Sequence, residues 1–81
     1  MTIRVQLFGI LAARIGQREL SCAVEAPGTV SQLLDGLSVN HPVINQMRDK
    51  LAVAVNLEYV KGDCVLNEGD EVAIIPPVSG G

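Results

Sequence analysis

The chain has 81 residues and a formal net charge of −3, from nine carboxylates against six Lys and Arg. That length holds one small domain, and the acidic balance excludes an electrostatic nucleic-acid binder, which needs a basic face. Apolar residues make up 48% and only Phe8 and Tyr59 are aromatic, so the core is aliphatic and rich in β-branched side chains. A chain this short buries only about 60% of its unfolded surface. A deep pocket of its own is hard to build at that size; a carrier, adaptor or subunit is easier. No apolar run approaches the ~20 residues that span a bilayer, so no membrane partner is expected. Met1 leads straight into an alternating pattern without a signal peptide, and a cytoplasmic location is expected. Cys22 and Cys64 have no metal-ligand spacing and read as small buried apolar residues.

Residues 3–9 alternate, with Ile3, Val5 and Leu7 on one face and Arg4, Gln6 and Phe8 on the other. This is the pattern of a half-buried strand. Residues 10–15 are short and alanine-rich, and Gly16 closes one or two helical turns. Arg18 to Glu25 alternates again, with Leu20, Cys22 and Val24 inward. Thr29-Val30-Ser31-Gln32 fits a capping box, and Val30, Leu33, Leu34 and Leu37 recur at helical spacing. Gly36 is read as lying off that apolar stripe. Asn40-His41-Pro42 stops the helix, because the residue before proline is pushed out of the helical region. A further short helical stretch runs to about residue 49. Residues 51–56 form the most apolar strand, placed at the centre of the sheet with Leu51, Val53 and Val55 inward. Tyr59-Val60-Lys61 is a short edge strand, Gly62-Asp63 is read as the next turn, and Asn67-Glu68-Gly69-Asp70 as another. Glu71 to Ile75 is the last strand, with Val72 and Ile74 inward. The sum is a two-layer α+β domain: one mixed sheet of about five strands, covered on one face by the main helix.

Familiar catalytic sets are missing. His41 is the only histidine and reads as a helix-end residue with no positioned partner. No serine sits in a nucleophile elbow, and no glycine-rich loop opens a helix to cradle phosphate. No carboxylate cluster has calcium-loop spacing, and no metal is expected. Glu58, Asp63, Glu68, Asp70 and Glu71 form a solvated edge or, as a second reading, a docking face for a basic partner.

The C-terminus is different. Pro76 and Pro77 donate no amides, so they end the sheet and stiffen the exit. Val78, Ser79, Gly80 and Gly81 follow. Extended at ~3.3 Å each, the six residues from 76 to 81 reach about 20 Å. A tail whose last two residues lack side chains can thread a channel too narrow for any Cβ. It also puts the α-carboxylate of Gly81 at the tip as an unhindered acyl group. The domain is therefore read as 1–75, and 76–81 as an extended tail.

Taken together, these residues resemble the MoaD/ThiS family of sulfur carriers, and within it the small subunits of molybdopterin synthase. The resemblance runs the whole chain. It rests on Ile3-Arg4-Val5-Gln6-Leu7-Phe8-Gly9, Gly16, Thr29-Val30, Ala54-Val55-Asn56, Glu68-Gly69-Asp70-Glu71-Val72-Ala73 and, most specifically, Pro76-Pro77-Val78-Ser79-Gly80-Gly81. It implies the ubiquitin-like β-grasp fold. It also implies a chemistry: a ubiquitin-activating-like adenylyltransferase uses ATP to adenylate Gly81, a sulfur donor converts the acyl-adenylate to a thiocarboxylate, and the tail enters the large synthase subunit. There the sulfur passes to cyclic pyranopterin monophosphate to form the molybdopterin dithiolene. The family assembly is a heterotetramer, the catalytic side chains belong to the large subunit, and the small subunit binds no cofactor.

The family's fold places the first and last strands side by side and parallel. Phe8 and Ile75 then lie close together, with Ala52, Ala54 and Ala73 on the same face, as a flat apolar partner interface beside the tail exit. The chain departs from the family at Ala12-Ala13, where many members carry Arg-Glu, and at Ile75, where many carry Phe. Two alternatives remain: a carrier for thiamin synthesis or tRNA thiolation, and a β-grasp interaction module whose Gly-Gly is incidental.

Overall fold

The computed structural model describes residues 1–77; the expectations for Val78, Ser79, Gly80 and Gly81 lie outside them. Strand β1 (Thr2–Leu7) leads into helix α1 (Gly9–Ile15), and β2 (Glu19–Ala23) returns antiparallel to β1. After β3 (Gly28–Thr29) comes the main helix α2 (Val30–Asn40), then α3 (Pro42–Met47) and a 3-10 turn over Arg48–Lys50. Strands β4 (Ala52–Val55), β5 (Glu58–Val60), β6 (Val65–Leu66) and β7 (Glu71–Ile75) complete the described chain. The large sheet has the order β2-β1-β7-β4-β5, in which only the β1–β7 pair is parallel.

The alternation read from the sequence sets the two faces. Ile3, Val5, Leu7, Val72 and Ile74 point inward and are buried, with Val53 and Val55 beside them. Helix α2 covers that face with Val30, Leu33, Leu34 and Leu37. Its start is the expected capping box: Gln32 N–H donates to Thr29 Oγ1 at 3.3 Å, and Thr29 N–H donates to Gln32 Oε1 at 2.8 Å. It stops at His41, ahead of Pro42, and Pro42 opens α3 as a first-turn proline.

The structure corrects three expectations. The centre of the sheet is β7, not β4, which lies one place from the edge. Strand β4 reads as central because it is the most apolar stretch; Val53, Ala54 and Val55 are all buried, but Ala54 owes this to its small size between two flanking strands rather than to the core. Between the turns read at 62–63 and 67–70, where the pattern assigns no element, lies β6, which pairs with β3 in a separate two-stranded sheet. Strands of two residues are too short to show a periodicity. Residues Phe8 and Gly9 lie outside β1: Phe8 is the extended residue before α1. Gly36 lies off the buried stripe of Val30, Leu33, Leu34 and Leu37, as read, and packs toward β2, where an added Cβ would come within 3.2 Å of Cys22 Sγ.

Candidate functional site: the outer sheet face and the tail root

The face of the sheet turned away from α2 is built by register. Gln6 pairs with Ala73, Ala73 with Ala54, and Ala54 with Tyr59, giving one row across four strands. In the next row Ala52 pairs with Ile75, and Phe8 follows Leu7, the partner of Ile74. The structure thus brings Phe8, Ala52, Ala54, Ala73 and Ile75 to one face. Phe8 is 45% exposed, Ala52, Ala73 and Ile75 are half-buried, and Ala54 lies sunk between its neighbours.

The face grades from apolar at the tail end to charged at the other. Gln6 Nε2 donates to Glu71 Oε1 at 3.0 Å, and Arg4 Nε donates to Glu19 Oε1 at 2.7 Å. The hydrogen bond to Glu19, and then its charge, raise the Arg4 guanidinium above its ordinary range. The face is thus apolar around Phe8, Ala73 and Ile75 and polar around Arg4, Gln6, Glu19 and Glu71.

Sequence reasoning missed Tyr59 as part of this face. It is 74% exposed, and its pairing with Ala54 puts it on the outer side. The hairpin alternation from Ala54 to Tyr59 was the available signal. Leu57, at the tip of that hairpin, is 95% exposed, and both Asn56 and Leu57 have positive φ. Asn56 fixes the hairpin to the start of β7: its Nδ2 donates to Asp70 Oδ1 at 3.0 Å and its Oδ1 accepts from Glu71 N–H at 3.1 Å.

The tail starts at the apolar end. Pro76 is buried although it lies beyond β7, and Pro77 is exposed. Pro76 rests on Gly9, where an added Cβ would lie 3.1 Å from Pro76 Cγ. Ala12 and Ala13 line a shallow groove with Phe8 and Gly9 next to this root.

The remaining candidates lie elsewhere. His41 sits half-buried at the junction of α2 and α3. Cys22 and Cys64 are free and half-buried, and burial pushes the Cys22 thiol up. Among the described residues, no group of three or more His, Cys, Asp or Glu is placed to hold a metal. No described helix is long and apolar enough to cross a membrane.

A mixed five-stranded sheet with its first and last strands parallel, crossed on one face by a main helix, is the ubiquitin-like β-grasp. Within that class the chain belongs to the ThiS family, whose model matches residues 5–81. It is 37% identical over 82 residues to the human molybdopterin synthase sulfur carrier subunit, covering 98% of this chain and 93% of that one. It superposes on the crystal structure of small archaeal modifier protein 1 from Haloferax volcanii with a TM-score of 0.88, at 32% identity and full coverage of both chains. A complex of subunits 1 and 2 of molybdopterin-converting factor from Helicobacter pylori shares the fold, at a TM-score of 0.67 and 22% identity over all of both chains.

Proposed function

We propose that this chain is the sulfur-carrier small subunit of a molybdopterin synthase, with the Gly81 carboxylate as its working group. One observation carries the reading: Pro76-Pro77-Val78-Ser79-Gly80-Gly81 follows directly on the last strand of a β-grasp domain. Its similarity over nearly the full chain to the human sulfur carrier subunit supports it.

A carboxylate is a poor acyl electrophile, because oxide is a poor leaving group. In the proposed sequence a Gly81 oxygen attacks the α-phosphorus of ATP on an adenylyltransferase and releases pyrophosphate. A sulfide-level donor then adds to the acyl carbon and expels AMP, leaving a thiocarboxylate and a proton. The thiocarboxylate is a soft anionic nucleophile that needs no helper base. Its sulfur bonds to a carbon of cyclic pyranopterin monophosphate within the large subunit, which supplies the catalytic side chains, and water then cleaves the acyl–sulfur bond, leaving the sulfur on the pterin and the Gly81 carboxylate restored. Two sulfurs per dithiolene require two loaded chains. The outer face around Phe8 and Ile75 docks the partner while the tail reaches its active site. The fold shared with a two-subunit complex supports a protein partner for this chain.

Complementation tests the reading. In a strain lacking its own synthase small subunit, the full chain should restore molybdoenzyme activity, and the chain without Gly81 should not, although it folds. Restoration by the truncated chain would refute the carrier role. Failure of both, with a lysine-linked conjugate of the full chain in the extract, would favour a protein-modifier pathway.

A further inference from the structure

We infer that Gly9 is a positioning residue for sulfur delivery, acting through Pro76 and not by touching the reacting acyl group. The inference rests on the carrier reading above. Strands β1 and β7 run parallel with Leu7 opposite Ile74, so their chains leave the sheet side by side, one as Phe8-Gly9 and the other as Ile75-Pro76. Gly9 has φ +56, and the place of an added Cβ lies 3.1 Å from Pro76 Cγ and 3.9 Å from Cδ. The shorter distance is inside the ~3.5–4.0 Å of ordinary carbon contact. A side chain at position 9 is thus opposed twice, by the left-handed backbone and by the ring that lies over it.

The identity of the opposing group matters. A flexible side chain could swing aside, but the Pro76 ring is fused to its own backbone. A push on the ring moves the main chain at residue 76, and the fixed φ of Pro77 passes the change to the direction in which the tail leaves. Phe8 and Ile75, the proposed docking residues, are the immediate neighbours of Gly9 and Pro76. The Gly9–Pro76 contact therefore fixes the exit of the tail relative to the surface the partner grips. Disturbing it leaves docking intact and misdirects the acyl group. The expected signature is an unchanged KM with a lowered kcat. A misplacement of about 1 Å far from the chemistry costs on the order of 10²-fold, so a shift of a few tenths predicts about threefold to tenfold.

The test uses the full chain as substrate of its adenylyltransferase, read by ATP–pyrophosphate exchange, for wild type, Gly9→Ala, Pro76→Ala and the double variant. Each single change should lower kcat about threefold to tenfold with KM held within about twofold. The double variant should be no slower than the slower single, because the methyl added at position 9 acts through the ring that Pro76→Ala removes. In the wild type, nuclear Overhauser effects should link the Gly9 α-protons to the Pro76 ring. Should Gly9→Ala fail to fold, Pro76→Ala and the Overhauser contacts still decide. A Gly9→Ala kcat equal to wild type, a rise in KM alone, multiplicative losses in the double variant, or missing Overhauser contacts would each overturn the inference. If the wild-type chain is not adenylated, the carrier reading falls and this inference with it. If it is adenylated and Gly9→Ala matches it, only the role of Gly9 falls.

Discussion

Removing the Thr29 hydroxyl isolates one hydrogen bond at the start of the helix that covers the sheet. The first amides of α2 are all matched. Val30 N–H donates to the Cys64 carbonyl at 3.0 Å, Ser31 N–H to the Gly62 carbonyl at 2.9 Å, and Gln32 N–H to Thr29 Oγ1 at 3.3 Å. Thr29→Ala deprives only the third of its protein acceptor; beyond that it loses a long 3.5 Å contact from Thr29 Oγ1 to Gln32 Oε1, while the 2.8 Å bond from Thr29 N–H to Gln32 Oε1 is a backbone bond and stays. Thr29 is half-buried, so water recovers part of the loss, and the cost is ~1 kcal/mol. A domain of this size unfolds with an entropy of about 170 cal/mol/K, which converts that cost to a fall in Tm of about 6 °C. Thr29→Ser keeps the acceptor and should move Tm by less than about 2 °C. Thermal melts followed by circular dichroism measure both, and adenylation kinetics at 25 °C should be the same for all three proteins. An alanine variant melting within about 1 °C of wild type, or a serine variant as weak as alanine, would refute the capping argument.

Three further outcomes are expected. Gly62→Ala should destabilise by ~1–3 kcal/mol in urea titrations, because its Cβ would lie 2.5 Å from Ser31 Oγ, and adding Ser31→Ala should recover most of the loss; no recovery would place the strain elsewhere. Phe8→Asp should leave Tm nearly unchanged, since the ring is 45% exposed, but weaken binding to the large subunit at least about tenfold in calorimetry; unchanged affinity would remove Phe8 from the docking face. Burial holds the Cys22 thiol above its ordinary value of 9.0, so the unfolded chain gives up its proton first. The stability this confers is complete below pH ~9 and is lost as pH rises through the folded value, so Tm of the wild type should fall more steeply above pH ~9 than Tm of Cys22→Ala. Equal slopes would show that the thiol is not coupled to folding.

Most of the fold was legible because the two hydrophobic periods are clean. The alternation of β1 and β7 and the i, i+3, i+4, i+7 stripe of α2 each bury the side chains they mark. What escaped has physical causes. Strands β3 and β6 are two residues each and are defined by pairing, a long-range property with no local pattern. The order of β4 and β7 was misjudged because alanine in a strand can be buried by neighbouring strands as well as by a core. Gly36 lies off the stripe as read, but what it faces was not legible, because a glycine carries no hydropathy signal and only its distance to Cys22 reveals it. The outer face was legible from alternation at Phe8, Ala52, Ala54, Ala73 and Ile75, whereas Tyr59 needed the hairpin register. The burial of Pro76 against Gly9 had no trace in the sequence, because two residues 67 positions apart meet only through the parallel pairing of β1 and β7.

Loading of Gly81 with sulfur is the step that makes this chain a carrier. Intact-protein mass spectrometry, after incubating the chain with the soluble extract of its host, ATP and a sulfur donor, tests it most directly. The expected result is a mass gain equal to one oxygen replaced by sulfur, confined to the C-terminal peptide and absent when Gly81 is deleted. An unchanged mass, in an extract that loads a control carrier under the same conditions, would contradict it.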